Sequence, residues 1–147
     1  MSGPMKKTDE PIKVEITINK DSETVWAAIT EPEQMRNWFF SNIPDFKPVL
    51  GFETEFDVES DARVFPHQWR VTEVIPEKLV SLNWKYGGYK GNSYVFFELH
   101  SENGLTRLTL THTVTEDFQT DIPEFTRESC IGGWQYYIGK RLKEYLN

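Results

Sequence analysis

The stretch DIPEFTRESCIGGWQYYIGKRLKEY, residues 121–145, decides the fold. Ile131, Trp134, Ile138, Leu142 and Tyr145 recur at steps of three and four. That spacing predicts one continuous helix from Asp121 to Tyr145 with a single apolar face, while Arg127, Gln135, Lys140 and Lys143 point to water. Gly132 and Gly133 interrupt the stripe. A glycine inside a helix costs about 1 kcal/mol relative to alanine, so the pair predicts a backbone that passes close to the sheet, or to a ligand held between sheet and helix. The helix follows a hairpin of two alternating strands, an order that implies a sheet gripping a helix.

Working back from the helix, Leu108, Leu110 and Val114 form a returning strand, joined through the tight-turn pair Asn103-Gly104 to a strand carrying Val95, Phe97 and Leu99. Val80, Leu82, Trp84 and Tyr86 give another strand a clear apolar side, closed by Gly87-Gly88. Val64 to Ile75 also reads as a strand, but Trp69 and Val71 fall in phase with Glu73 whereas Val74 falls in phase with Gln68 and Arg70, which leaves its inward face open. Phe52, Thr54, Phe56 and Val58 alternate with Glu53, Glu55, Asp57 and Glu59, placing an acidic ladder on the solvated face of an edge strand.

At the amino-terminal side, Ile12, Val14, Ile16 and Ile18 alternate with polar residues in a first strand. Asp21 caps a short helix bearing Val25, Trp26 and Ile29. Thr30 and Glu33 match a capping box, with Pro32 suited to the first turn of a second short helix carrying Met35, Trp38 and Phe39. The loop that follows, punctuated by Pro44 and Pro48, holds Phe40, Ile43 and Phe46 and suits a lid. Residues 1–11 read as a disordered tail, its Ser2-Gly3-Pro4 compatible with a vector-derived leader, and residues 12–147 as one domain. The architecture is α+β: an antiparallel sheet with its helices on one face.

Composition narrows the function. The 147 residues carry a formal charge of −7, which disfavours nucleic acid and anionic membranes, because binding to phosphate rests on Lys and Arg releasing counterions. A hydrophobic content of 38% with 14% aromatic residues supplies one core. No stretch is apolar enough to span a bilayer or to act as a signal peptide, so a cytoplasmic location is expected without membrane insertion. Cys130 is the single cysteine; it allows no intrachain disulfide and reads as a buried thiol.

Motifs for catalysis are scarce. Gly87-Gly88-Tyr89-Lys90-Gly91 lacks the Lys-Ser/Thr pair of a phosphate loop and lies between strands. His67, His100 and His112 sit on three segments without metal-ligand spacing. No metal, cofactor or catalytic residue is therefore expected. His112 follows Leu108 and Leu110 at intervals of two and so faces the interior. It is a core residue by default, and otherwise the best polar group to orient a ligand.

Several motifs together resemble a known family. Val25-Trp26, Thr30-Glu31-Pro32 and Trp38 near the start, Val71-Thr72-Glu73-Val74-Ile75-Pro76 with Leu79 and Trp84 midway, Thr106 to His112 later, and Gly133-Trp134 in the last helix carry the likeness. From Ile12 onward the chain resembles the bacterial single-domain homologues of the activator of the heat-shock protein 90 ATPase. These belong to the START-like superfamily, with the birch-pollen-allergen-like proteins and polyketide cyclases. The resemblance implies a helix-grip fold, a curved antiparallel sheet wrapped around the long carboxy-terminal helix over an elongated, mostly apolar cavity. It assigns ligand contacts to Trp84, Phe97, Leu110, His112, Trp134 and Ile138, with Trp38 and Phe39 near the mouth. Binding of a hydrophobic or aromatic small molecule ranks first among the implied functions. Partnership with a heat-shock protein chaperone ranks second, and a cyclase-type enzyme third.

Overall fold

Strict alternation of apolar and polar side chains builds the sheet. The computed structural model describes residues 3–147; Met1 and Ser2 of the expected tail lie outside the described residues. Strand β1 (Ile12–Ile18) is followed by helices α1 (Ser22–Thr30) and α2 (Pro32–Trp38), then by β2 (Glu53–Ser60), β3 (Arg63–Ile75), β4 (Leu79–Tyr86), β5 (Asn92–Glu102) and β6 (Leu105–Glu116). The six strands form one curved sheet in the order β1-β6-β5-β4-β3-β2, every neighbouring pair antiparallel. Asn103 and Gly104 both take positive φ, 50° and 80°, in the β5–β6 hairpin, as a two-residue turn matched to strand twist requires. On edge strand β2 the four acidic side chains are exposed and Phe56 is buried, so the acidic ladder faces solvent.

The phase conflict in β3 has a local cause. Val71 pairs with Leu82, yet the next pairing is Glu73 with Ser81, so Thr72 is an extra residue opposite no partner. Such a bulge shifts the alternation by one. Phe65, His67, Trp69 and Val71 therefore face the interior before it, and Val74, opposite inward-facing Val80, packs against the core after it. The hydroxyl of Thr72 lies 2.7 Å from that of Ser81.

The carboxy-terminal helix departs from the expected one in two ways. It starts at Arg127, not Asp121. Asp121 sits at φ 66°, Pro123–Phe125 form a single 3₁₀ turn, and the Thr126 hydroxyl caps α3 (Arg127–Tyr136) by accepting from the Ser129 N–H at 3.2 Å. After α3 the chain runs through a π-helical segment, Tyr137–Leu142, into α4 (Lys143–Leu146). An i→i+5 turn advances more slowly around the axis than the about 3.6-residue α turn. The buried stripe accordingly steps by four, through Trp134, Ile138, Leu142 and Leu146, while Tyr145 is exposed and Ile131 half-buried.

Three smaller expectations are also corrected. The Thr30 hydroxyl donates back to the Trp26 carbonyl at 2.6 Å, so no capping box forms, and Glu31 is the N-cap of α2 without a side-chain bond. The loop after α2 is tied down: Arg36 donates to the Ile43 and Pro44 carbonyls, and Ile43 and Phe46 are buried. The amino-terminal segment is docked from Gly3 onward. Met5 is buried, its N–H donates to the Phe125 carbonyl at 3.0 Å, its carbonyl accepts from the Phe118 N–H at 2.9 Å, and Pro4 bridges Thr126. These bonds and the apolar burial of Met5 offset the entropy of ordering the segment.

The glycine pair of the helix does not mark a close approach to the sheet: a Cβ at Gly132 or Gly133 would meet nothing within 4 Å. The glycine that requires its missing side chain is Gly91, at φ 125° with Phe118 Cδ1 only 1.6 Å from a Cβ position. Gly132→Ala should therefore raise stability by about 0.5–1 kcal/mol through helix propensity. Gly91→Ala should lower it by at least about 2 kcal/mol through strain and overpacking. Urea unfolding midpoints of the two variants check both signs.

Candidate functional site

Aromatic rings line the interior from α2 to the last helix. Trp38 stacks on Phe39 at 4.6 Å, Phe39 meets Trp69 at 5.5 Å, Trp69 meets Trp84 at 5.0 Å, and Trp84 meets Trp134 edge to face at 5.3 Å between ring centroids. These separations are those of favourable ring pairs. Between this assembly and the helix lies a pocket of about 140 Å³ walled by Met5, Phe39, Phe40, Trp84, Trp134 and Tyr137, with His67, Tyr86, His112 and Cys130 supplying polar atoms. Its volume is below the roughly 300–1,000 Å³ of ordinary small-molecule sites.

His112 occupies the centre of a directional hydrogen-bond chain. The Trp134 indole N–H donates to His112 Nδ1 at 2.9 Å, and His112 Nε2 lies 2.8 Å from Ser93 Oγ, whose hydroxyl donates to the Trp84 carbonyl at 2.7 Å. An indole nitrogen can only donate and a carbonyl can only accept. Nδ1 therefore carries the lone pair, Nε2 carries the proton, and Ser93 both accepts and donates. Neither ring nitrogen is left over to orient a ligand. Cys130 Sγ sits 3.4 Å from the same Nδ1.

His67 has the opposite tautomer. Its Nδ1 lies 2.8 Å from the Phe65 carbonyl and must donate, so Nε2 holds the lone pair. Its ring touches Tyr86 edge-on at 4.8 Å and Phe40 at 5.0 Å. Glu124, on the pocket rim, is engaged by Ser60 at 2.9 Å and Arg63 at 3.2 Å.

Burial keeps His67, His112, Tyr86 and Cys130 neutral. It holds His67 and His112 at about 4, opposed at His67 by the Phe65 hydrogen bond. It pushes the Cys130 thiol up to about 12, against the influence of Trp134 and Arg127, and raises the Tyr86 phenol as well. Among the described residues no three His, Cys, Asp or Glu converge as metal ligands.

Of the eight residues expected at the site, Phe39, Trp84, His112 and Trp134 border the pocket. Trp38, Phe97, Leu110 and Ile138 are buried elsewhere in the core, Trp38 with its indole N–H on the Ala28 carbonyl at 2.8 Å. His67, Tyr86, Tyr137 and Met5 border the pocket without having been expected there. His67 shares its phase with Trp69 and Val71, and that signal was obscured by the Thr72 bulge.

A curved antiparallel sheet closed over a long helix, with a ring-walled pocket between them, defines a START-like helix-grip domain. The chain belongs to the family described as "Activator of Hsp90 ATPase homolog 1-like protein", whose model matches residues 19–147. Solved structures of the same fold include a protein from Chromobacterium violaceum, with TM-score 0.76 and 16% identity over 92% of this chain and 96% of that one. The Aha1 dimer from Colwellia psychrerythraea aligns with TM-score 0.72 and 20% identity over 94% of this chain and 96% of its own. DynU16, a protein of the dynemicin biosynthetic locus, aligns with TM-score 0.73 and 23% identity over 94% of this chain and 47% of its own. No curated protein sequence matches significantly. No helix among the described residues is long and apolar enough to cross a membrane.

Two outcomes test this geometry. His112→Phe strands the buried Trp134 N–H and should cost about 1–3 kcal/mol, read as a lowered urea midpoint at pH 7. The two depressed histidines also set a pH dependence. The unfolded chain takes up protons near 6.5 and the folded one near 4, so their contribution to stability is complete above about 6.5 and is lost as pH falls toward 4. The loss by pH 5 should be roughly 2 kcal/mol for each ring. Unfolding at pH 7 and pH 5 measures it, and His67→Gln should halve the difference.

Proposed function

We propose that the protein binds a small, uncharged hydrophobic or aromatic molecule in the pocket between the sheet and the carboxy-terminal helix. The observation that carries this reading is the pocket wall itself: five aromatic side chains, Phe39, Phe40, Trp84, Trp134 and Tyr137, with His67, His112 and Cys130 held neutral by burial. A neutral guest exchanges contact with water for contact with these rings at no cost in buried charge. The size of about 140 Å³ suits a single ring; a cavity of about 150 Å³ holds benzene. Phe39, Phe40 and Tyr137 also line an outer groove of about 530 Å³ beside Asn42, Asp57 and Glu59. These three rings therefore partition the pocket from the groove, and displacing one of them joins the two spaces.

Family membership supports a second reading, association with a chaperone of the heat-shock protein 90 type. Val49 and Leu50, 58% and 72% exposed on the loop leading into β2, offer an apolar contact. The first reading has the more developed site. The Cys130 and His112 pair that an enzymatic reading would use is neutral on both sides.

Amide and indole signals followed during titration with single-ring compounds, flavonoids and fatty acids test the proposal. Single-ring compounds should shift Gly133, His112 and the Trp84 indole together. Tyr137→Ala should admit two-ring compounds that the wild type refuses. A panel in which nothing moves these signals overturns the binding reading, and native mass spectrometry of protein from its own host then reports a chaperone complex in place of a small bound mass.

A further inference from the structure

We propose that the pocket selects a neutral single-ring compound bearing a hydroxyl group, whose hydroxyl donates to His67 Nε2 and accepts from the Tyr86 hydroxyl. The inference rests on the reading of the pocket as a ligand site and adds the chemistry that chooses among ligands.

Two polar atoms there meet no protein acceptor or donor at full hydrogen-bond geometry, and neither is wholly enclosed, so both open onto the pocket. His67 is 6% exposed and borders the pocket, and with Nδ1 committed to the Phe65 carbonyl its Nε2 is an acceptor that no described residue meets. Tyr86, whose ring lies 4.8 Å from that of His67, borders the same pocket, and its hydroxyl makes no hydrogen bond of good geometry. The Trp84 indole N–H approaches that hydroxyl and supports its oxygen, but falls short of a bond and is itself left buried without a partner. Polar atoms facing an otherwise apolar pocket are met by water, and a guest that displaces that water without replacing its hydrogen bonds loses affinity. One unpaired acceptor beside one unpaired O–H calls for a group that is donor and acceptor at once. A hydroxyl is such a group.

Charge removes the alternatives. No Lys or Arg lines the pocket, and the one carboxylate at its rim, Glu124, would repel an anion. Glu124 is already held by Arg63 and Ser60, so it offers little to an ammonium group. The rest of the wall, Phe39, Phe40, Trp84, Trp134 and Tyr137, accepts the flat body of the guest. Phenols and ring alcohols of that size fit these demands; anisole lacks the donor and toluene lacks both functions.

The test is calorimetric titration of the full chain at pH 7 with phenol, anisole, toluene and benzoate. Phenol should bind about tenfold more tightly than anisole or toluene, the worth of roughly one net hydrogen bond, and benzoate should not bind. Tyr86→Phe and His67→Phe should each bring phenol close to the level of toluene while leaving toluene itself within about twofold. If His67→Phe fails to fold, Tyr86→Phe decides, since it keeps the ring and removes a hydroxyl that only the Trp84 indole N–H approaches. Toluene or anisole binding as tightly as phenol overturns the hydroxyl assignment and leaves the pocket reading intact. A phenol-soaked crystal with only ordered water between His67 and Tyr86 overturns it too. If none of the compounds binds, the pocket reading itself fails, and this inference with it.

Discussion

The grip of the sheet on the helix depends on one hydrogen-bond chain, from the Trp134 indole through His112 and Ser93 to the Trp84 carbonyl. It ties the last helix to β6, β5 and β4, and it has one direction because its two ends are a pure donor and a pure acceptor. Each link is buried, so each is obligatory: a broken link leaves a polar atom with neither protein nor water. The chain fixes where Trp134 lies, and Trp134 in turn sets the positions of Trp84, Phe39 and Phe97 around it. The pocket is the space left where this polar chain and the ring stack do not meet.

Much of the fold was legible because it is local. Alternation placed the strands, Asn103-Gly104 placed the hairpin, Asp21 capped α1 as read, accepting from the Thr24 N–H at 2.9 Å, and the acidic ladder faced solvent. The misses have other origins. The Thr72 bulge and the docking of Met5 between Phe118 and Phe125 are settled by hydrogen bonds between distant segments, and the π segment that exchanges Tyr145 for Leu146 on the buried stripe changes the helix's own spacing midway. A periodicity that assumes one unbroken strand or one uniform helix cannot register an inserted residue; it shows instead as a conflict of phase. In β3 that conflict was visible, between Trp69 and Val74, and the bulge was its meaning.

The same distinction runs through the site. His112 was legible as inward-facing because β6 is regular through Val114, its one register shift lying beyond, at Thr115. Its commitment to Ser93 and Trp134 was not, since both partners come from other elements. His67 carried an equal signal on β3, three places away in the sheet, and the unresolved phase hid it. The apolar residues chosen by resemblance divide by position: Trp84 and Trp134 reach the pocket, whereas Phe97, Leu110 and Ile138 fall in the closed core nearby.

The geometry also decides what the 3.4 Å approach of Cys130 to His112 means. A thiol beside an imidazole becomes a nucleophile when the proton moves from sulfur to nitrogen, which needs a low thiol pKa and a ring that accepts charge. Burial works against both, pushing the thiol up to about 12 and the imidazole down to about 4. Both shifts oppose the transfer, so the pair rests as thiol and neutral imidazole. His112 Nδ1 is moreover occupied by the Trp134 N–H, so a proton arriving there would face a donor instead of a lone pair. The desolvation that makes the pocket hospitable to a neutral ring is thus the same force that keeps its thiol and imidazoles uncharged. Binding and thiolate chemistry make opposite demands on this interior, and the observed packing meets those of binding.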